Sequence, residues 1–400
     1  MMRLAIAGCG VMGRRHVRGL GRLRAVGRQR FELVAAIDPV ASSADALADL
    51  AAELLGARPR TYPDLAAALA DGALDALDIA AAPNLHLPIA REALAAGLHL
   101  LVEKPIALTT RQGLALVAAG EAAGRVVSVA ENYRRDPINR LAKALIDAGA
   151  IGRPYLAVQS SSGAGEQVII TPWRHRRASG GIAVDMGVHY ADILEYLLGP
   201  IDTVAGMGAV VDAERIAADG SRHPADAEDL AVGVLRFASG TIANLVLDMA
   251  GRGAGHFTRV VYGSRGSLAI PQDRTGHPLV LDVREAGVTR TLSDAEALAL
   301  VPDFALDATT AALFGGDRLA RYTADFATID ANLLAIEFDD LADAIARGVA
   351  PEVDGLQGAR SLAIAYGLLE SERLGRFVAV GRLLAGADSP YQDALDGGAA

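Results

Sequence analysis

Three groups of residues have the types and spacing to do chemistry. The first is Gly8-Cys9-Gly10-Val11-Met12-Gly13, directly after a short apolar run. Gly8 permits a tight turn, Gly10 lets the backbone approach a pyrophosphate, and Gly13 lets helix and strand pack closely. The helix opening there offers free N–H groups to an anion. Alone, a glycine triplet says little; between a strand and a helix it points to a dinucleotide. Asp38 closes the second apolar run. A carboxylate there accepts hydrogen bonds from the adenosine ribose and repels a 2′-phosphate, so NAD is expected rather than NADP. A solvated carboxylate starting a turn with Pro39 is the plainer alternative. Cys9 reads as a small turn residue without chemistry.

The second group is Glu103-Lys104-Pro105, after the apolar run His99–Val102. An ammonium at the carboxyl edge of an open sheet can hold a hydroxyl oxygen and stabilise a developing alkoxide. Pro105 restricts Lys104 to extended geometry. In isolation the tripeptide also reads as a surface Glu-Lys pair. The third group is Gly180-Gly181 followed by Asp185, Gly187 and His189. Four residues apart on a helix, Asp185 and His189 share a face, and Asp192 falls on it too. A neutral imidazole can take a hydroxyl proton as hydride leaves the carbon, and a nearby carboxylate orients the ring. The competing reading is a helix histidine satisfied by Asp185 and doing no chemistry.

These residues need elements to hold them. Up to residue 130, apolar runs predict strands at Leu4–Ala7, Phe31–Ile37, Leu77–Ala81, His99–Val102 and Val126–Ala130. Between them, Val11–Val26, Ser43–Leu55, Asp64–Leu69, Pro88–Ala96 and Arg111–Ala123 read as helices. Strands alternating with helices predict a parallel sheet covered on both faces. Beyond residue 150 the strands Pro154–Ser160, Asp202–Asp212, Asp229–Phe237, Thr241–Asp248 and Thr258–Tyr262 follow with few helices between, and Ser239-Gly240 marks a hairpin. Helices are expected at Ile138–Ala148, Ile182–Leu198, Ile336–Arg347 and Leu356–Leu374. The fold class is therefore α/β: an N-terminal Rossmann-type domain over 1–130, an α+β domain with a large, mainly antiparallel open sheet over 131–385, and a flexible tail over 386–400.

Bulk properties narrow the function. The chain has 400 residues, 52% apolar and 22% charged, enough for two cores. A net charge of −10 argues against general nucleic-acid binding. One cysteine leaves no internal disulfide and no thiolate metal site. The opening MMRLAIAGCGVMG reads as a strand entering a turn rather than as a signal peptide, and no run of apolar residues is long enough for a membrane span. A cytoplasmic compartment is the simplest expectation.

Taken together, GCGVMG at 8–13, EKP at 103–105 and GGIAVDMGVH at 180–189 resemble the Gfo/Idh/MocA family of oxidoreductases, with weaker matches in ENYRRDP (131–137), VYGSRGSLAI (261–270) and PEVDG (351–355). The resemblance implies a catalytic trio of Lys104, Asp185 and His189. It also implies cofactor contacts from Gly8, Gly10, Val11, Met12, Gly13, Asp38, Pro83, Asn84, His86, Glu103, Lys104, Asn132, Trp173 and Arg174. Substrate contacts are expected from Lys104, Tyr133, Arg134, Trp173, Asp185 and His189. Oligomer contacts, giving a dimer or tetramer, are implied for the open sheet. The stretch 286–330, with Phe304, Phe314, Tyr322 and Phe326, departs most from the family pattern. It reads as a pocket wall, as a reach to a neighbouring subunit, or as a surface insertion.

The expected reaction is NAD-dependent hydride transfer at a carbinol carbon of a sugar, inositol or related polyol. Arg134, Arg135, Arg174, Arg176 and Arg177 raise the question of an anionic substrate; charges at domain seams explain them as well, which keeps a neutral polyol ahead. Two alternatives remain: a glycoside-cleaving enzyme that uses NAD without net redox change, and a non-enzymatic NAD sensor.

Overall fold

Short apolar runs become the strands of a parallel sheet because helices cover both its faces. The computed structural model describes residues 1–397; the end of the expected flexible tail, 398–400, lies outside the described residues. The chain divides into two units, the first comprising 1–132 and 327–359. In it, β1 (Met2–Ala7), α1 (Val11–Ala25), β2 (Phe31–Ile37), α2 (Ala41–Leu55), β3 (Arg60–Tyr62), α3 (Leu65–Asp71), β4 (Ala76–Ile79), α4 (Pro83–Ala95), β5 (His99–Glu103), α5 (Thr110–Ala123) and β6 (Val127–Ala130) follow one another. The six strands pair in parallel in the order β3-β2-β1-β4-β5-β6. The order reverses between β1 and β4, which opens a crevice at the carboxyl edge of the sheet.

Helix ends follow local chemistry. Asp64 caps α3 by accepting the Ala67 N–H, and Thr109 caps α5 by accepting that of Gln112. Strand β3 escaped the sequence reading because three polar-leaning residues carry no period; it exists as an edge partner of β2. Helix α4 starts at Pro83, not at the expected Pro88, because Pro83 already supplies the first-turn residue that needs no N–H.

The second unit comprises 133–326 and the chain from 360 onward. It holds α6 (Pro137–Asp147), β7 (Pro154–Ala164), α7 (Ile182–Leu198), β8 (Ile201–Ala209), β9 (Glu214–Ile216), β10 (Arg222–Pro224), β11 (Leu230–Phe237), β12 (Ile242–Gly251), β13 (His256–Gly263), β14 (Gly266–Ala269), β15 (Val280–Glu285), β16 (Val288–Leu292), α8 (Asp294–Ala299) and α9 (Ala308–Phe314). After α10 (Phe326–Arg347) and α11 (Gly355–Leu374) come β17 (Val378–Ala379), α12 (Val380–Leu384) and α13 (Pro390–Gly397). Nine strands form one sheet, β16-β15-β14-β13-β7-β12-β11-β8-β17, antiparallel except for the parallel pair β7 and β12. Its inner face, with Leu235, Leu245, Leu247 and Val261, packs into one core with Ile193 and Leu194 of α7 and Ile364 and Leu368 of α11.

Two expected boundaries need correction. Helix α10 belongs almost wholly to the first unit, because it packs on α1: a Cβ at Gly19 would fall 3.0 Å from Leu334 Cβ, Arg15 pairs with Asp330, and Arg22 donates to Asn332 at 2.7 Å. Residues 353–354 return to the same unit, where the Val129 N–H donates to the Val353 carbonyl and closes the β6 edge. The expected tail is ordered through α13: Tyr391 is buried, its hydroxyl donates to Glu228, and its N–H donates to Glu370 at 2.8 Å. Among the described residues no helix is long and apolar enough to cross a membrane.

Candidate active site

In the first unit the site residues gather because parallel strands end at one edge. Gly8 follows β1, Asp38 follows β2, Pro83 lies just beyond β4, Lys104 follows β5, and Asn132 lies two residues beyond β6. Gly8 has φ +97°, and a Cβ there would fall 2.7 Å from the Ala80 main chain; one at Gly13 would fall 2.2 Å from the Gly8 carbonyl oxygen. A Cβ at Gly10 would meet nothing within 4 Å. The turn is thus tight against its own unit and open at Gly10. Gly10 starts α1, and no side chain caps it, so the helix N-terminus is left to an anion. Asp38 braces the turn: one oxygen accepts the Cys9 N–H at 2.9 Å and the other accepts the Val40 N–H at 2.9 Å. Each oxygen keeps a further lone pair for a ribose hydroxyl.

Val11 is exposed in the first turn of α1, and Met12 is half-buried with its sulfur 3.2 Å from Arg15. Burial pushes the Cys9 thiol up to about 12. Asn84 is exposed at the start of α4, whose N-terminus has no side-chain cap. The Asn132 side-chain oxygen is buried and has no hydrogen-bond partner, an acceptor suited to a carboxamide N–H. The open Gly10, the uncapped helix and this orphaned oxygen fit NAD. Lys104 is one of two lysines in the chain, the other being Lys143.

His86 needs correction. It is fully buried; one ring nitrogen lies 3.0 Å from the Pro105 carbonyl oxygen and the other 3.1 Å from that of Ala81. Both ring nitrogens are taken up by main-chain carbonyls of the loops around it, and burial lowers its pKa. Glu103 also turns inward, toward His16 and the Lys104 N–H.

In the second unit Asp185 and His189 sit one turn apart near the start of α7, both nearly buried at 5% exposure. Gly181 caps the helix at φ +83°, which suits glycine. Arg174 Nε lies 3.3 Å from Asp185 and its guanidinium stacks over Trp173 at 4.5 Å. The His189 ring lies flat on Tyr133, with centroids 4.2 Å apart and planes 6° apart. The structure thus joins Tyr133, Trp173, Arg174, Asp185 and His189 around one helix start.

Two expectations fail here. The Asp192 carboxylate, on the shared face, takes Arg134 on both oxygens, at 2.7 and 2.5 Å. For the same reason Arg134 is not a free substrate ligand: it is buried and its charge is matched. The stretch 286–330 is not a loose surface insertion. Tyr322 is buried, donates to Asp136 at 2.7 Å and contacts Phe314 at 4.8 Å, while Arg274 lies over both Tyr133 and Phe326. Sequence reasoning missed His16, Asp78, Asp136 and Arg274. The available signal for the first two was a histidine three residues after Gly13 and an acid inside an apolar run.

Comparison with known proteins adds to this geometry. Residues 2–131 match a family model described as an oxidoreductase family with an NAD-binding Rossmann fold, and residues 139–269 match the GFO/IDH/MocA C-terminal domain. The D-apiose dehydrogenase of Paraburkholderia graminis is 32% identical over 298 residues, covering 73% of this chain and 72% of that one. The levoglucosan dehydrogenase of Pseudarthrobacter phenanthrenivorans is 28% identical over 222 residues, 51% of this chain and 57% of the other, so the match spans little more than half of that relative. The crystal structure of an oxidoreductase from Agrobacterium radiobacter, in complex with NAD+, L-tartaric acid and magnesium, has the same fold: TM-score 0.73 at 22% identity, covering 96% of this chain and 99% of that one.

Proposed function

The chain belongs to the Gfo/Idh/MocA family of oxidoreductases, and on that premise we propose that it is an NAD-dependent dehydrogenase of a neutral sugar, inositol or related polyol. The observation that carries the reading is the single sheet edge where the glycine turn, Asp38, Lys104 and Asn132 meet. When bound, NAD supplies the hydride acceptor. Gly10 and the start of α1, on a turn that Gly8 and Gly13 keep tight, would hold its pyrophosphate, Asp38 its ribose, and Asn132 its carboxamide. Lys104 holds the substrate oxygen and stabilises the alkoxide. His189 removes the hydroxyl proton, its ring kept flat by Tyr133. Asp185, tied to Arg174, orients the polar groups around it.

The arginines support a neutral substrate. Arg134, Arg174, Arg176 and Arg177 each have a carboxylate within 3.3 Å, so their charges are matched within the protein. Assembly through the outer face of the nine-stranded sheet fits the exposure of Met207, Val232 and Val234 there.

The test is an absorbance screen for NADH with inositols, aldoses, glycosides and sugar acids, run with NAD and with NADP. NADH formation from a neutral polyol is the expected result, and a preference for NADP overturns the role of Asp38. His189→Ala is expected to lower turnover about 10²–10⁴-fold with NAD affinity nearly unchanged; wild-type turnover rules the base assignment out. Aglycone release without net NADH would mark the redox-neutral glycoside reaction, and NAD binding without hydride exchange the sensor.

A further inference from the structure

Between the glycine turn and Lys104 lies a cluster that this mechanism does not use. His16, in the second turn of α1, is fully buried. Its Nδ1 lies 2.7 Å from Asp78 in β4, and its Nε2 lies 3.0 Å from Oε1 of Glu103 at the end of β5. The other Glu103 oxygen accepts the backbone N–H of Lys104 at 2.9 Å. One imidazole therefore ties the helix that opens at the glycine turn, through a single carboxylate, to the main chain of Lys104. On the far side of the lysine, His86 holds the carbonyls of Pro105 and Ile106.

Stability does not explain this cluster. Three buried ionisable groups cost desolvation, and apolar residues of similar volume usually serve a core as well or better. The second oxygen of Asp78 is buried without a hydrogen-bond partner, so the network is not closed for its own sake. Burial alone would lower the His16 pKa; the charge and hydrogen bond of Asp78, then those of Glu103, outweigh it and hold the imidazole well above its ordinary value. Its two contacts are then charge-assisted, the Asp78 one short at 2.7 Å and the Glu103 one of ordinary length at 3.0 Å. That is what fixing a main-chain position requires, where an error of about 1 Å can cost on the order of 100-fold in rate.

We infer that His16, acting through Glu103, is a positioning residue that fixes the Lys104 main chain at the carboxyl edge of the sheet. The inference rests on the reading of Lys104 as the group that holds the substrate oxygen, but the placement itself can be measured without turnover. With two lysines in the chain, reductive ¹³C-methylation labels Lys104, Lys143 and the terminal amine, and Lys143→Arg assigns the Lys104 signal. His16→Gln is expected to shift or broaden that signal while Lys143 stays put. On unmodified protein it is expected to lower turnover about 10- to 100-fold on the polyol found in the NADH screen. NAD+ affinity by calorimetry is expected to stay within about threefold, since the turn itself is untouched.

An unmoved Lys104 signal with wild-type turnover, alongside a lower melting temperature, overturns the proposal. Should His16→Gln fail to fold, Glu103 decides. Glu103→Gln leaves one acceptor where His16 and the Lys104 N–H need two, and Glu103→Leu leaves none, so both are expected to move the signal. A wild-type Lys104 signal from either variant also overturns the proposal. If no compound yields NADH, the dehydrogenase reading fails while the methyl signals still decide the positioning role.

Discussion

The same side chain does opposite things in this protein according to what faces it. His16 meets two carboxylates and its pKa is held high, whereas His86 meets carbonyl oxygens and burial takes its pKa down. His175, with Ile169 donating to its Nε2, is pushed down to about 4, by burial first and then by the charge of Arg215. Asp136 shows the same logic for an acid. It accepts from Ile138, Arg274 and Tyr322, yet burial wins and pushes its carboxyl up to about 6. Its folded pKa lies above the unfolded value, so the folded protein keeps the proton longer. The stabilisation is present below about pH 4 and is lost as pH rises through about 6. Asp136→Asn removes this slope. The difference in unfolding free energy, wild type minus variant, is expected to fall by roughly 2–3 kcal/mol between pH 4 and pH 7 in urea titrations. A flat difference would show that the carboxyl does not titrate there.

At the scale of elements, the strand–turn–helix unit separates packing from binding within six residues. Gly13 faces the Gly8 carbonyl and has no room for a methyl group, whereas Gly10 faces open space. Gly10→Ala is expected to unfold within about 0.5 kcal/mol of wild type, as surface changes do, but to weaken NAD+ binding at least tenfold in calorimetry. Gly13→Ala is expected to cost about 1–3 kcal/mol of stability, the range for overpacking. Equal NAD+ affinity for Gly10→Ala and wild type would remove the pyrophosphate from this turn. The glycine spacing was legible in the sequence because the turn needs it. The packing of α10 on α1 was not: its apolar period predicts a helix but carries no address.

At the scale of the molecule, the nine-stranded sheet carries apolar residues on both sides. Its inner face is the core of the second unit. On the outer face Val232 pairs with Met207 on one side and Val246 on the other, a row across three strands. Val232 is 39% and Met207 63% exposed. An exposed apolar patch on a broad sheet marks an interaction surface. The expected state is a homo-oligomer by light scattering, and Val232→Lys is expected to shift it toward monomer with the fold intact by circular dichroism. A wild-type monomer at micromolar concentration would remove the sheet as an assembly face.

By itself the sequence determined the alternation of elements, the glycine turn, Asp38, Lys104 and the Asp185–His189 pair, because each depends on spacing within one or two neighbouring elements. Tertiary structure alone decided which charges are matched and which residue holds which. Arg134 meets Asp192 across 58 residues, His16 meets Asp78 across 62 and Glu103 across 87, and Tyr322 meets Asp136 across 186. No local period encodes such contacts. They arise when strands remote in sequence become neighbours in a sheet, and burial then makes each remaining polar group find a partner.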